Sequence, residues 1–404
     1  MTSVSSANEN LYSIAYYLVT DIQHVPPVIR LFPHLGGIVI TENKAIYDLI
    51  TTKYQSLNIP IFIIRRKEAH KIIIQHKIRV VIYPSYHILF RAKAIQIFHG
   101  GLSDKNYVES VKILLYDLVL FPGEKTKDKV DKAGYLKSIP QWELVGYPKF
   151  DPLINKTLTH PSSFNNGRKT ILYAPTWVSQ NENFKTIKFS EHGESSLHIW
   201  SKEIIRALHK DYNIIIKYHS RIYRKPGDIY NEIDELIISL HAQDTVLTKI
   251  DDNILPYMAE ADLMISDIST ACYEWFHFDK PIVYANPSPS HYRPSNDIGS
   301  NTYAWQAGDV IYKATDILNY VNSNIANDTY KEIRNRIFNY TIFKPDGGAT
   351  ERQAKAIIAY ATTFKNTPYT WLLFTTWIWR RFRRTKSKLL NNYYRAFRKE
   401  KIGK

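Results

Sequence analysis

Ala94-Ile95-Gln96-Ile97-Phe98-His99-Gly100-Gly101-Leu102-Ser103-Asp104-Lys105 is an apolar, strand-like run that ends on a histidine and two glycines. A run of the same kind, Asn213-Ile214-Ile215-Ile216-Lys217-Tyr218-His219-Ser220, stands in the other half of the chain. In open α/β proteins, ligands gather at the carboxyl ends of the strands. A strand-end histidine in each half predicts two similar domains facing across a cleft, with His99 and His219 in one active site.

The flanking sequence carries the same pattern. Residues 13–19, 37–41, 61–64 and 80–83 are short β-branched apolar runs, separated by helix-like stretches at 42–53 and 67–76. Such uninterrupted runs suit strands buried on both faces of a parallel sheet. Residues 115–120 and 143–146 add later strands. Residues 151–168, rich in Pro, Asn, Ser, Thr and Gly, read as a linker. A second alternating set follows at 169–174, 212–217, 244–248, 261–266 and 281–284. The organisation predicted is a disordered lead over 1–10 and a Rossmann-like domain over 11–160. A second such domain covers 168–345, then a closing helix 346–365 and an amphipathic basic tail 366–404.

A chain of 404 residues is too long for one ordinary core, and 44% hydrophobic content excludes a disordered protein. One cysteine, Cys272, excludes a disulfide framework and a thiolate zinc site, and fits a reducing compartment. The first ten residues lack the basic start and apolar core of a secretory leader. Neither Gly-x-Gly-x-x-Gly after the first strand nor Gly-x-x-x-x-Gly-Lys-Ser/Thr is present, which argues against dehydrogenase and P-loop chemistry.

The net charge of +15 is concentrated at one end. From 380 to 404 there are eleven Lys/Arg against one acid, Glu400, so ten of those fifteen charges lie there. The preceding stretch, 369–379, contains Trp371, Trp377 and Trp379 with Tyr369 and Phe374. It is too short to span a bilayer, which needs about 20 apolar residues. Bulky aromatics beside clustered arginines fit an interfacial helix on an anionic membrane, involving 369–404. A nucleic-acid tail is the competing reading, and Trp beside Leu and Ile weighs against it.

Candidate site residues follow from position. Gly100 and Gly101 allow close backbone approach to a ligand, His99 is suited to general-base work near neutral pH, and Lys105 reaches for an anionic group. A turn with a surface histidine is the plain alternative. Tyr173-Ala174-Pro175-Thr176-Trp177 closes a strand and leaves Thr176 to donate to phosphate, or only to make a turn. His219 and Lys217 offer a donor and a charge, though lone strand-end histidines are commonly satisfied core residues. In Asp262-Leu263-Met264-Ile265-Ser266-Asp267-Ile268-Ser269-Thr270-Ala271 a strand meets a helix start. Ser269 or Thr270 caps it, and unpaired N–H groups there attract anions. Two adjacent hydroxyls exceed what one cap needs. Glu274 either holds a ribose hydroxyl or only favours the helix dipole.

Taken together these motifs resemble the CDP-glycerol glycerophosphotransferase family, the teichoic-acid primases and polymerases with related capsule enzymes. The elements are His99-Gly100, Tyr173 to Trp177, Lys217-Tyr218-His219, Asp267-Ile268-Ser269-Thr270, Lys280-Pro281-Ile282 and Asp346-Gly347. The likeness runs over about 95–360. Departures are Val178 where the family has Arg, Ser220 for Pro, and Ile268 for Tyr. The resemblance implies the glycosyltransferase-B fold and a CDP-linked polyol phosphate donor, glycerol or another polyol. It implies His99 as the base on an acceptor hydroxyl, and CMP as the leaving group. His219, Thr176, Ser269 and Thr270 would stabilise diphosphate charge, with Gly100, Lys105, Lys217, Asp267 and Glu274 binding substrate. No metal or cofactor is expected.

The function expected is polyol-phosphate transfer to a lipid-linked or polymeric glycan acceptor, by a cytoplasmic enzyme peripheral on the inner membrane face. No nucleic-acid partner is expected. The alternatives are a glycosyltransferase-B enzyme using a nucleotide sugar, and a noncatalytic module that binds membrane or anionic polymer.

Overall fold

A computed structural model describes residues 13–98, 102, 108–158, 162–177, 195–219, 228–251 and 253–402, with side chains described as far as Leu389. The chain divides into two compact units. Met1–His99, Glu109–Asp151 and Phe343–Lys404 make the first; Gly100–Val108 and Pro152–Ile342 make the second.

The first unit is built on a seven-stranded sheet, all parallel, in the order β3-β2-β1-β4-β5-β6-β7. Its strands are β1 (Ile14–Leu18), β2 (Ile38–Thr41), β3 (Ile61–Ile63), β4 (Val80–Tyr83), β5 (Lys93–Gln96), β6 (Leu118–Phe121) and β7 (Gln141–Leu144). β1 and β4 are central and wholly buried, the outcome expected where helices cover both faces of a parallel sheet. Helix Val25–Leu35 places Pro26 and Pro27 in its first turn, where a missing N–H costs nothing. Its Val25, Val28, Leu31 and Leu35 pack with Tyr16, Val39 and Val80.

The second unit repeats the plan with six parallel strands in the order β10-β9-β8-β11-β12-β13. They are β8 (Thr170–Ala174), β9 (Asn213–Lys217), β10 (Val246–Lys249), β11 (Leu263–Ser266), β12 (Ile282–Ala285) and β13 (Asp309–Ile311). Helix Leu197–Leu208 buries Leu197, Trp200, Ile204, Ile205 and Leu208, the one-sided stripe of a helix lying on a sheet. In each sheet the chain order reverses beside the first strand, between β1 and β4 and between β8 and β11. Those switch points are where open α/β sheets take ligands.

Two strands begin later or end sooner than their apolar runs suggest. Residues 115–117 are not strand: Val111–Leu115 is a 3-10 helix and β6 starts at Leu118. The cause is Asp117, whose carboxylate is tied to neighbouring elements before the strand begins. β7 ends at Leu144, because Gly146 takes φ +87°. The returning chain crosses there: a Cβ on Gly146 would lie 2.7 Å from the Phe343 carbonyl oxygen.

From Phe343 the chain re-enters the first unit. The Phe343 N–H donates to the Pro122 carbonyl at 2.8 Å. Asp151 accepts from the N–H groups of Ala349 and Thr350 at 3.2 and 2.6 Å, capping helix Ala349–Thr362 from 198 residues away in sequence. Arg352 grips both oxygens of Asp346 at 2.8 Å and donates to the Val145 carbonyl.

The basic tail is not a free appendage. It is helix Tyr369–Ile402, and one face is docked on the first unit. Leu372, Thr376, Arg380 and Ser387 are buried, and Arg383 is mostly so. Arg380 Nη2 donates to Asp117 at 2.7 Å and to the Ala92 carbonyl at 3.0 Å. Arg383 Nη1 donates to the other Asp117 oxygen at 2.9 Å and to the Tyr116 carbonyl. The Ala94 N–H also donates to Asp117. Burial alone would push the Asp117 carboxyl up; Arg380, Lys93, Arg383 and the Ala94 N–H outweigh it and hold it below the usual carboxylate range.

Removing this carboxylate strands a buried guanidinium. Asp117→Ala should destabilise the first unit by about 3–5 kcal/mol, read by calorimetry of the full chain. In the wild type the contribution is fully present above about pH 4 and is lost as the pH falls further. An unaltered melting profile in the variant would contradict the docking.

Candidate functional site

Thr176, Lys217, His219, Asp267, Ser269 and Thr270 of the second unit stand just at or after the carboxyl ends of β8, β9 and β11. Asp267 follows β11 and is fully buried. Its carboxylate accepts from the Thr176 N–H at 3.0 and 3.1 Å and from the Ser196 N–H at 2.8 Å. Its carbonyl takes the indole N–H of Trp305 at 3.2 Å. One aspartate thus joins the turn after β8, the start of helix Leu197–Leu208 and the turn after β11. Ser266 Oγ donates to the Ala174 carbonyl at 2.7 Å, and Ser195 Oγ to the Thr176 carbonyl at 2.7 Å. Tyr173 and Ser196 share a hydroxyl bond at 2.8 Å. Burial first, and then the Asp267 charge, push the Tyr173 hydroxyl far up, so it stays neutral.

The two hydroxyls after β11 divide their work. Ser269 Oγ accepts from the Ala271 N–H at 3.3 Å and so supplies the cap. Thr270 stands at the cap position without a side-chain cap bond, and its hydroxyl makes no bond among the described residues. The helix here is short, Ala271–Trp275 followed by a 3-10 turn. The N–H groups of Ala271, Cys272, Tyr273 and Glu274 all find acceptors within residues 269–270. The helix-start N–H groups expected to attract an anion are thus already bonded at 271–274, while the Thr270 hydroxyl has no bond among the described residues. Glu274 is buried in that same helix.

Lys217 and His219 close β9. The Lys217 ammonium is buried and donates to the carbonyls of Tyr218 and Asp251 at 3.0 and 3.1 Å, with the Asp251 carboxylate at 3.4 Å. It therefore ties the β9 turn to the segment after β10. His219 is half-buried just beyond it. The structure thus brings Thr176, Asp267, Ser269 and Thr270 together around the β8–β11 switch point, with Lys217 and His219 on the neighbouring strand. Asp267 and Lys217 are positioned as internal ties. His99, Gly100 and Lys105 lie outside the described residues, as do Val178 and Ser220.

Sequence reasoning missed a buried charged group at the corresponding edge of the first unit. Lys125, Thr126 and Lys129 are buried in helix Glu124–Lys132, which starts just after β6. Lys129 Nζ stands 3.4 Å from Glu109. Burial pushes the Glu109 carboxyl up against the opposing pull of Lys129 and Lys125. Seven of the nine residues in Glu124-Lys125-Thr126-Lys127-Asp128-Lys129-Val130-Asp131-Lys132 are charged, which reads as a solvated face. The only available signal was the four-residue spacing of the two lysines. Among the described residues, no group of three His, Cys, Asp or Glu side chains is arranged to hold a metal ion.

A model of the CDP-Glycerol:Poly(glycerophosphate) glycerophosphotransferase family matches residues 115–359, more than half of the chain. Among solved structures, the wall teichoic acid polymerase TagF is 14% identical over 89% of this chain and 92% of its own, with a TM-score of 0.57. The S. aureus MnaA–UDP structure is 15% identical over 88% and 99%, with a TM-score of 0.55. A putative UDP-N-acetylglucosamine 2-epimerase from Listeria monocytogenes is 11% identical over 86% and 96%, also at 0.55. At these identities the likeness is one of fold, and the α/β glycosyltransferase-B type expected from the sequence is the fold observed. No curated protein sequence matches the chain.

Asp267→Ala should leave the Thr176 and Ser196 N–H groups without acceptors, at about 1–3 kcal/mol for each buried donor. Amide hydrogen exchange should accelerate over 171–177 and 195–200. Asp267→Asn, which keeps one acceptor oxygen, should show a smaller change; equal protection in all three proteins would remove Asp267 from this role.

Proposed function

The chain belongs to the CDP-glycerol:poly(glycerophosphate) glycerophosphotransferase family, and from that premise we propose residue roles for its transfer of glycerol phosphate from CDP-glycerol to a growing polymer. His99 takes the proton from the acceptor hydroxyl. The freed oxygen attacks the phosphorus that bears the glycerol. A new P–O bond forms as the bond to CMP breaks, and CMP leaves with the negative charge. His219, Thr176 and Thr270 donate hydrogen bonds to the diphosphate, while Ser269 shapes the turn that presents Thr270. Lys217 and Asp267 hold these groups in place from beneath. Gly100 and Lys105 attend the acceptor side, and Glu274 the ribose. Phosphoryl transfer depends chiefly on positioning and on stabilising charge, so an array of fixed donors suits it.

The observation that carries this reading is the grouping at the β8–β11 switch point. One buried carboxylate fixes two turns, and beside them the Thr270 hydroxyl has no bond among the described residues. His99→Ala and His219→Ala should each lower CMP release from CDP-glycerol by about 10²-fold or more, with the folded state retained by circular dichroism. Near-normal turnover in either variant would refute that residue's role. Offering CDP-ribitol and UDP-sugars in parallel identifies the donor by the nucleotide set free.

The acceptor we propose is lipid-linked, and the Tyr369–Ile402 helix keeps the enzyme beside it. No described helix is long and apolar enough to cross a membrane. The docked face of this helix is mainly polar, through Thr376, Arg380, Arg383 and Ser387. The outward face carries Trp371, Phe374, Ile378, Phe382 and Leu389; Trp371 is 59% and Phe382 60% exposed. These residues recur at helical spacing along one stripe. Exposed Arg381, Arg384, Lys386 and Lys388 accompany them. An aromatic stripe directed away from the protein and accompanied by cations matches the boundary of an anionic bilayer.

Deleting the tail would also remove the Arg380–Asp117 pair, so substitutions on the outer face make the cleaner test. Trp371→Ser/Phe374→Ser/Phe382→Ser should sediment less with phosphatidylglycerol vesicles than the wild type does. Its CMP release with a soluble acceptor should be unchanged. Undiminished sedimentation would rule out this face as the anchor.

A further inference from the structure

We propose that helix Arg66–Gln75 extends the membrane-facing surface of the tail helix and binds anionic lipid headgroups beside it; this rests on the reading of Tyr369–Ile402 as the anchor. The two helices lie on one face of the seven-stranded sheet. Helix Val25–Leu35 joins β1 to β2, and the crossover from β3 back to β4 runs across the sheet in the opposite direction. Right-handed connections then place helix Arg66–Gln75 on the opposite face from Val25–Leu35. The tail helix docks on that same opposite face. In β4, Val80 and Ile82 pack with Val25, Val28 and Leu31, so Val81 and Tyr83 point the other way. Tyr83 meets Tyr116 edge-on at 5.6 Å, and the Tyr116 carbonyl is the one that receives Arg383.

Direct bonds join the two helices. The Tyr369 hydroxyl donates to the Ile73 carbonyl at 2.8 Å. Arg79 Nη1, just after the shorter helix, donates to the Phe364 and Thr367 carbonyls at 2.8 Å each. Its guanidinium stands 6.0 Å from the centre of the Tyr369 ring. Farther along, the chain between β4 and β5 fills the seam. Arg66 Nη2 donates to the Ile88 carbonyl at 2.7 Å, and the Arg384 guanidinium lies 5.6 Å from the Phe90 ring. Short helix, loop and tail helix are one continuous layer over the sheet, and their outward sides face the same way.

Helix Arg66–Gln75 buries Ala69 and Ile73. Lys67, Lys71 and Ile74 recur at spacings of four and three on its other side. All three are exposed, Ile74 by 43%. Between residues 65 and 92 there are seven Lys/Arg and one acid, Glu68. Glu68 accepts from the Arg65 N–H at 3.3 Å, at the start of the helix. Arg66 and Arg79 are engaged with carbonyls, whereas Lys67, Lys71 and the exposed Arg91 make no ion pair among the described residues. Cations in such excess complement an anionic leaflet, where each one held near the surface strengthens binding about fivefold. A soluble polyanion would match the charge alone. It has no use for Ile74 beside the lysines, or for the aromatic stripe on the adjoining helix.

The test neutralises this face without touching its packing, in Lys67→Gln/Lys71→Gln/Arg91→Gln. On vesicles containing phosphatidylglycerol, the partition coefficient should fall by about tenfold or more, and binding should depend less steeply on salt. The weaker binding to pure phosphatidylcholine vesicles belongs to the aromatic stripe and should be unchanged. CMP release with a soluble acceptor and the melting temperature should match the wild type.

Wild-type partitioning of this variant onto phosphatidylglycerol vesicles would overturn the proposal. So would an equal loss on phosphatidylcholine, because the contact would then not be electrostatic. Lost binding to soluble poly(glycerol phosphate) with vesicle partitioning intact would assign the face to an anionic polymer, which also overturns it. Trp371→Ser/Phe374→Ser/Phe382→Ser separates the two levels. Undiminished partitioning of that variant removes the anchor and this inference with it. Diminished partitioning there, beside wild-type partitioning of the Lys67/Lys71/Arg91 variant, removes this inference alone.

Discussion

The buried carboxylate of Asp267 is the interaction on which the polar edge of the second unit depends. A parallel strand ends in a turn whose N–H groups have lost their ladder partners, and buried N–H groups must be satisfied. Asp267 accepts from one such group at Thr176, after β8, and from the Ser196 N–H at the start of helix Leu197–Leu208. Lys217 does the reverse on the next strand, donating to two carbonyls and lying against Asp251. Ions placed this way bind the framework together before they bind any substrate. Their charge still contributes to the local field, but their lone pairs and protons are occupied. Hydrogen-bonding capacity to spare falls instead to a weaker, neutral group, the Thr270 hydroxyl.

Much of the fold was legible because strands buried on both faces must be apolar without interruption. That is why β4 appears at 80–83 in the sequence and at Val80–Tyr83 in the structure. Boundaries failed where a distant partner decides them. Nothing local to the run Leu115-Tyr116-Asp117-Leu118 reveals that a strand begins only after Asp117 has met Arg380, 263 residues away. At the site, residue type and position were legible: Thr176, His219, Ser269 and Thr270 do lie at strand ends. Burial was not. Asp267 and Lys217 were candidates from the motifs around them, and nothing local to those motifs shows that both side chains are buried. Lys125 and Lys129, buried in a helix otherwise dense with charge, are likewise invisible in the local sequence. The turn at Gln96 to Phe98 gave no sign, since the left-handed φ of Phe98 leaves no trace when the residue is not glycine.

The Tyr369–Ile402 helix reverses the usual amphipathic logic. A helix packed on a soluble domain ordinarily turns its apolar stripe inward. This one turns arginines inward, and a buried guanidinium is tolerable only when a carboxylate and carbonyls surround it. Asp117 with the carbonyls of Ala92 and Tyr116 meets that condition. The planar fork of arginine suits it, as one guanidinium nitrogen of Arg380 reaches both the carboxylate and a carbonyl. Polar docking leaves the tryptophans and phenylalanines outside, where hydrophobic burial within the chain has not claimed them. A basic aromatic segment can therefore be firmly attached to the protein and still present its apolar stripe outward.

The two sheet edges achieve order by different means. In the second unit, turns are held by charge, with ionised groups saturating backbone donors and acceptors. In the first, the turn after β5 is held by neutral groups: the Gln96 side-chain carbonyl accepts from the Phe98 N–H at 3.0 Å, and the Phe98 ring stacks on Phe121.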